Sequence, residues 1–154
     1  MRALTLILCL ALAGTAGAQE PSLSTGQSLY LPIYSHLLYG NVNVAGKPSQ
    51  YPLSALVSLR NTDPRQPIRI LSARYYDTAG KPVREYLPKQ VVLPPLGTTE
   101  LFVERNDMRG GSGANFIVSW QADRPANPPI VEALHADISG NRTLSFIASA
   151  RPIK

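Results

Sequence analysis

Cysteine is nearly absent from this chain of 154 residues: the one example, Cys9, stands inside the apolar opening stretch. A disulfide framework, a thiolate metal site and a cysteine nucleophile are therefore all excluded from the rest of the chain. Histidine is scarce as well. His36 and His135 are the only two, and a metal site takes three or four ligands, so neither a metal nor another cofactor is expected. His135 and Asp137 share a strand face but find no third partner nearby in sequence. Basic charge is present without being concentrated: the formal charge is +5, one less without Arg2, and no run of four basic residues occurs. Nucleic-acid binding, which relies on a dense basic patch, is not expected. After the opening stretch nothing sustains a helical apolar period over ten residues, and no run approaches the length of a membrane span.

What is present begins with an address. Met1 to Ala18 has the layout of a secretory signal: Arg2 gives a positive start, Ala3 to Ala13 is apolar, and Thr15-Ala16-Gly17-Ala18 puts small residues at the A-x-A spacing. Cleavage near Ala18 is predicted, leaving a periplasmic or secreted product. Cys9 does not read as a lipid-attachment site, because Leu8 stands where a small residue is required. The 136 residues after Ala18 suit one domain. Residues 19–26 are polar and read as a flexible lead-in, and 27–154 as the folded unit.

Beyond Gln27 the chain reads as short strands punctuated by proline, glycine and asparagine. Leu53, Ala55, Val57 and Leu59 alternate with Ser54, Ser58 and Arg60, the period of a strand with one buried face. In Asn61-Thr62-Asp63-Pro64 the two Asx side chains and the preset φ of proline make a turn. From Ile68 to Asp77 the apolar phase slips between Ile70 and Leu71, and a β-bulge there would reconcile the halves. Asp77-Thr78-Ala79-Gly80 turns into Val83–Leu87, and Val91–Leu93 stops at Pro94-Pro95. Leu101 and Val103 mark the next strand. Phe116, Val118 and Trp120 share one face of a later one, the largest apolar group in the chain. Two strands close the domain, one carrying Leu134, Ala136 and Ile138, the other Leu144, Phe146, Ala148 and Ala150, with Gly140-Asn141 between them. Seven to eight such strands predict an all-β fold, an antiparallel Ig-like β-sandwich without a disulfide.

Two places stand out as candidate binding surfaces. In Met108-Arg109-Gly110-Gly111-Ser112-Gly113-Ala114-Asn115-Phe116, three glycines in four residues free the backbone to approach a partner, with Arg109, Ser112 and Asn115 as polar contacts. A phosphate loop is not expected, since the lysine and the following helix are missing; a plain connector is the competing reading. Tyr30 and Tyr34 fall on the phase opposite Leu29, Leu31 and Ile33, with His36 close by. They read either as an outward contact surface or as tyrosines lying over neighbouring strands. Catalysis lacks comparable support. Gly110-Gly111-Ser112-Gly113-Ala114 departs from the G-x-S-x-G order of a nucleophile elbow, and the acidic residues are spread over different strands.

Leu29-Tyr30-Leu31-Pro32-Ile33-Tyr34-Ser35-His36, Leu59-Arg60-Asn61-Thr62-Asp63-Pro64, Tyr75-Tyr76-Asp77 with Gly80, and Gly110 to Val118 occur in that order. Together they make the chain similar to the bacterial family catalogued as domain of unknown function 3124. The resemblance implies a small exported bacterial protein with no assigned activity and no catalytic residues to carry over. In a bacterial chain the sequon Asn141-Arg142-Thr143 is a coincidence. The expectation is thus a non-enzymatic binding or assembly module whose partner is an envelope protein or glycan. The alternative is a small periplasmic hydrolase, which would need Ser112 or a histidine in a concave pocket beside a base.

Overall fold

Proline, glycine and Asx turns cut residues 22–154, the part that this computed structural model describes, into twelve strands and no α-helix. In chain order these are β1 (Ser24–Ile33), β2 (His36–Tyr39), β3 (Ser49–Pro52), β4 (Ser54–Arg60), β5 (Ile68–Tyr76) and β6 (Pro82–Glu85). There follow β7 (Val91–Leu93), β8 (Thr98–Val103), β9 (Ala114–Ala126), β10 (Ile130–Ser139), β11 (Arg142–Ser149) and β12 (Arg151–Ile153). The count exceeds the expected seven to eight because five of them are only three or four residues long. The signal reading of Met1 to Ala18 lies outside the described residues.

One sheet runs β12-β1-β9-β5-β6, with β7 also on β5; the other runs β11-β10-β4-β8, and β2 and β3 form a separate ribbon. Every pairing is antiparallel. The two sheets pack face to face as a sandwich. Leu29, Leu31, Ile33, Phe116, Val118 and Trp120 from the first sheet meet Ala55, Val57, Leu59, Leu101 and Val103 from the second, all buried. Near one end Tyr75 stacks on Phe116 with ring centroids 5.0 Å apart.

The predicted devices are in place, some with a wider reach than their sequence suggests. The β5–β9 register shifts between Ile70 and Ser72, so Leu71 is the extra residue of a bulge and faces outwards while Ile70 and Ala73 stay in the core. In the turn after β4, Asp63 Oδ1 accepts the N–H groups of Arg65 and Gln66, and Asn61 Nδ2 donates to the carbonyls of Gln66 and Pro94. Asp63 Oδ2 also takes the Asn127 N–H, tying this turn to the β9–β10 connection.

Two expectations need correcting. The domain starts earlier than Gln27: Ser24 already pairs with Ala126, inside the stretch expected to be a lead-in. Polar Ser24-Thr25-Gly26 carries no apolar alternation, so periodicity could not find it. In β10 the buried face is Val131, Ala133, His135 and Asp137, whereas Leu134 and Ile138 are exposed. Both faces of β10 hold apolar residues, and its own pattern cannot choose between them. β4 chooses: Leu59, Val57 and Ala55 stand opposite Val131, Ala133 and His135, which places His135 and Asp137 inside.

Candidate functional site

The sharp corner between β1 and β2, Tyr34-Ser35-His36, gathers contacts from both sheets. The Tyr34 N–H donates to His135 Nε2 at 3.1 Å. Ser35 N–H donates to the Gly111 carbonyl, its carbonyl accepts the Leu53 N–H, and its hydroxyl lies 3.0 Å from the Tyr75 hydroxyl. Tyr34 stays exposed while its ring packs edge to face on His135 and Phe146, and His135 and Phe146 stack at 4.6 Å with planes 8° apart. Burial pushes the His135 imidazole down to about 4, with the Ala133 carbonyl opposing weakly. His135 Nδ1 is buried without a hydrogen-bond partner.

One step further along β10 lies Asp137, buried, with both carboxylate oxygens engaged. Arg105, just past β8, reaches Oδ1 at 2.6 Å, and the Tyr51 hydroxyl donates to Oδ2 at 2.6 Å. That hydrogen bond holds the Tyr51 phenol above its usual value. A buried carboxylate is tolerable only when it is compensated in this way. The pair also fastens the β2–β3 ribbon across the open end of the sandwich.

The fastening leaves a groove of about 520 Å³ between the ribbon and the β10–β11 hairpin. Leu37, Tyr39 and Tyr51 form one wall, and Asn141, Arg142, Thr143 and Leu144 the other. Tyr39 and Tyr51 meet edge to face at 6.1 Å. Arg142 makes no ion pair among the described residues. A groove with aromatic and aliphatic walls and one free guanidinium suits a ligand that has an apolar body and an anionic or hydrogen-bonding group.

The residues singled out from sequence are distributed over several places. Tyr30 stands on the outer face of the six-stranded sheet, opposite Ile117 and Arg151, while Tyr34 faces the other sheet, so the two do not form one surface. His36 is buried opposite Pro52. The glycine loop is laced to its surroundings. Thr78 N–H and hydroxyl both donate to the Gly110 carbonyl, and Gly113 N–H donates to Thr78 Oγ1. A Cβ on Gly110 would lie 1.9 Å from the Tyr75 hydroxyl, so only glycine fits there. The Arg109 guanidinium grips Asp107 through Nε and Nη2, which holds the Asp107 carboxyl below its usual range. Asn115 pairs with Pro32 and Tyr76 inside the sheet. Ser112 sits in this loop, and neither histidine Nδ1 has a hydrogen-bond partner. Sequence reasoning missed Tyr51, Arg105 and Arg142. The shared face of His135 and Asp137 was the available signal, and Arg142 stood within the sequon set aside.

No curated protein matches this chain. A solved structure described as Thermotoga maritima 1070 is similar with a TM-score of 0.45 and 10% identity over 81% of this chain and 92% of that one. A likeness at that score carries no argument. Among the described residues no helix is long and apolar enough to cross a membrane. The family described as a protein of unknown function (DUF3124) matches residues 26–153, and this chain belongs to it.

Proposed function

We propose that this protein is an exported, non-enzymatic binding module of the bacterial cell envelope, and that it holds its partner in the groove between the ribbon and the β10–β11 hairpin. One observation carries the reading. At this end of the sandwich the buried Asp137 and His135 are engaged within the protein, while the side chains facing the groove, the free Arg142 among them, are of the binding kind. Asp137 is spent on Arg105 and Tyr51, and His135 Nε2 on a backbone N–H. Tyr39, Arg142 and Thr143 face the open space. General acid–base work needs a titratable group within reach of a substrate, and these two are turned inwards. Export rests on the layout of Met1 to Ala18.

The test compares wild type with Tyr39→Ala and Arg142→Ala in capture from envelope extracts, read by mass spectrometry. Both side chains are exposed, so melting temperatures should hold while the captured species falls at least about fivefold in each variant. Equal capture by all three proteins overturns the groove. Turnover of an ester or amide probe that disappears in Ser112→Ala would put the hydrolase alternative in its place.

A further inference from the structure

β11 is the outermost strand of its sheet, and β10 is its only strand partner among the described residues. The turn that precedes it sets its hydrogen-bonding phase. Ser139 and Arg142 flank the two-residue turn Gly140-Asn141, so this pair exchanges both of its backbone bonds. Leu144, Phe146 and Ala148 then also bond to β10, and the Ala150 N–H on the Val131 carbonyl at 2.9 Å continues the same phase. The N–H and C=O groups of Thr143, Ser145, Ile147 and Ser149 therefore point off the edge of the sheet. From Thr143 to Ser149 there is no charge, no proline and no register shift. The devices that usually blunt an exposed edge are missing.

Both ends of this edge open into hollows. Arg142, Thr143 and Leu144 line the groove already described. At the other end Ser149 and Ala150 line a hollow of about 370 Å³ with Leu29, Pro128 and Pro152. Gln27 Oε1 is buried in that lining without a hydrogen-bond partner, and Glu132, paired with Ser149, stands beside it. Midway, Ile147, Leu134, Leu56 and Phe102 form an apolar row across the outer face of all four strands. Ile147 ends the row at the free edge and is 61% exposed.

We propose that the β11 edge receives an extended segment of a partner polypeptide as a fifth, antiparallel strand. This rests on the binding-module reading and names its class of partner. Seven residues, spanning about 23 Å, would cover the edge. Charge tells the two ends apart: Arg142 lies at one, and Glu132, with Arg151 two residues beyond Ser149, at the other, and none of the three has an ion pair among the described residues. An antiparallel segment would then carry a basic residue at its N-terminal end, an acidic one at its C-terminal end, and an apolar residue opposite Ile147. Main-chain bonds would supply affinity, and the two hollows and the apolar row selectivity. A second copy of this chain fits less well, because antiparallel pairing of two β11 edges brings Arg151 of one chain towards Arg142 of the other.

The probe is a fluorescein-labelled octapeptide, Lys-Val-Ile-Val-Thr-Val-Thr-Asp, with Asp-Val-Ile-Val-Thr-Val-Thr-Lys as its charge-reversed control, both titrated against the purified protein by fluorescence polarisation. The first should bind, and reversal should weaken binding about tenfold. Ser145→Pro removes one outward N–H and no ladder bond to β10, and should abolish binding while the far-UV circular dichroism is kept. Hydrogen exchange provides a readout that needs no variant: the Ser145 and Ile147 amides should become protected when peptide is added to wild type. No binding up to roughly 1 mM, or equal binding of both peptides, overturns the proposal. So does a concentration-dependent dimer that protects these amides without peptide, which would assign the edge to a second copy. If the peptide fails while Tyr39→Ala still loses envelope capture, the edge falls and the binding module stands. If the peptide binds and the groove variants capture normally, the groove falls instead.

Discussion

At the scale of single residues, His135 is held neutral by its surroundings. Nε2 accepts the Tyr34 N–H, so the ring proton sits on Nδ1, and a second proton would have to enter at the nitrogen that faces a donor. Burial lowers the imidazole from 6.5 to about 4. An unfolded chain takes up this proton near 6.5, so between those two values the unfolded state binds more protons. This group therefore costs the fold nothing above about pH 6.5, and stability falls as the pH drops towards 4, by about 3 kcal/mol in all. Urea midpoints measured from pH 7.5 to pH 4 should fall for wild type and flatten in His135→Gln, whose amide oxygen can still accept from Tyr34. An equal slope in both proteins would mean that the imidazole is not the titrating group. The strand period puts His135 and Asp137 on one face, and that much was readable. What makes Asp137 a fastening is Tyr51, 86 residues away in the chain, and no local pattern encodes so distant a partner.

At the scale of elements, legibility depends on whether a strand has one apolar face or two. β5 has an apolar phase on each side of Leu71, and the slip between them announced the bulge. β10 is apolar on both faces, so only its register on β4 decides which one is buried. The glycine loop illustrates a third case. Its composition suggested an approaching partner, and the structure shows Tyr75 and Thr78 of the same chain pressed against it. The bulge can be tested directly. Leu71 is 40% exposed, so Leu71→Lys should move the melting midpoint by no more than about half a kcal/mol. Deleting Leu71 should leave the buried face intact, because Ile68, Ile70, Ala73 and Tyr75 then follow one unbroken two-residue period and Ser72 follows Ile70 opposite Ser119 and Trp120. The deletion variant should therefore still unfold cooperatively, its cost limited to the local twist that the bulge adds to β5. Circular dichroism melts of both variants decide it; a deletion variant without a cooperative transition would show that β5 depends on the bulge itself and not only on the phase of its buried residues.

At the scale of the whole molecule, the chain closes on itself through its first strand. β1 lies between β9 and β12 and contributes Leu29, Leu31 and Ile33 to the core. With no cysteine after Cys9, nothing covalent compensates for losing it. A chain beginning at Ser22 should therefore melt like one beginning at Gln19. One beginning at Gln27 should be somewhat weaker, because it gives up the Ser24–Ala126 pairing and the Ser24 hydroxyl on the Gly26 N–H. One beginning at Tyr34 should not fold. It forfeits three buried aliphatic side chains, about 6 kcal/mol together, and strips β9 and β12 of the strand between them, against a total stability on the order of 5–15 kcal/mol. Thermal melts of the four chains test this order. A chain from Tyr34 with a cooperative transition near that of the longest one would mean that the six-stranded sheet closes without β1. The core would then have to be centred on β9, β5 and the four-stranded sheet alone.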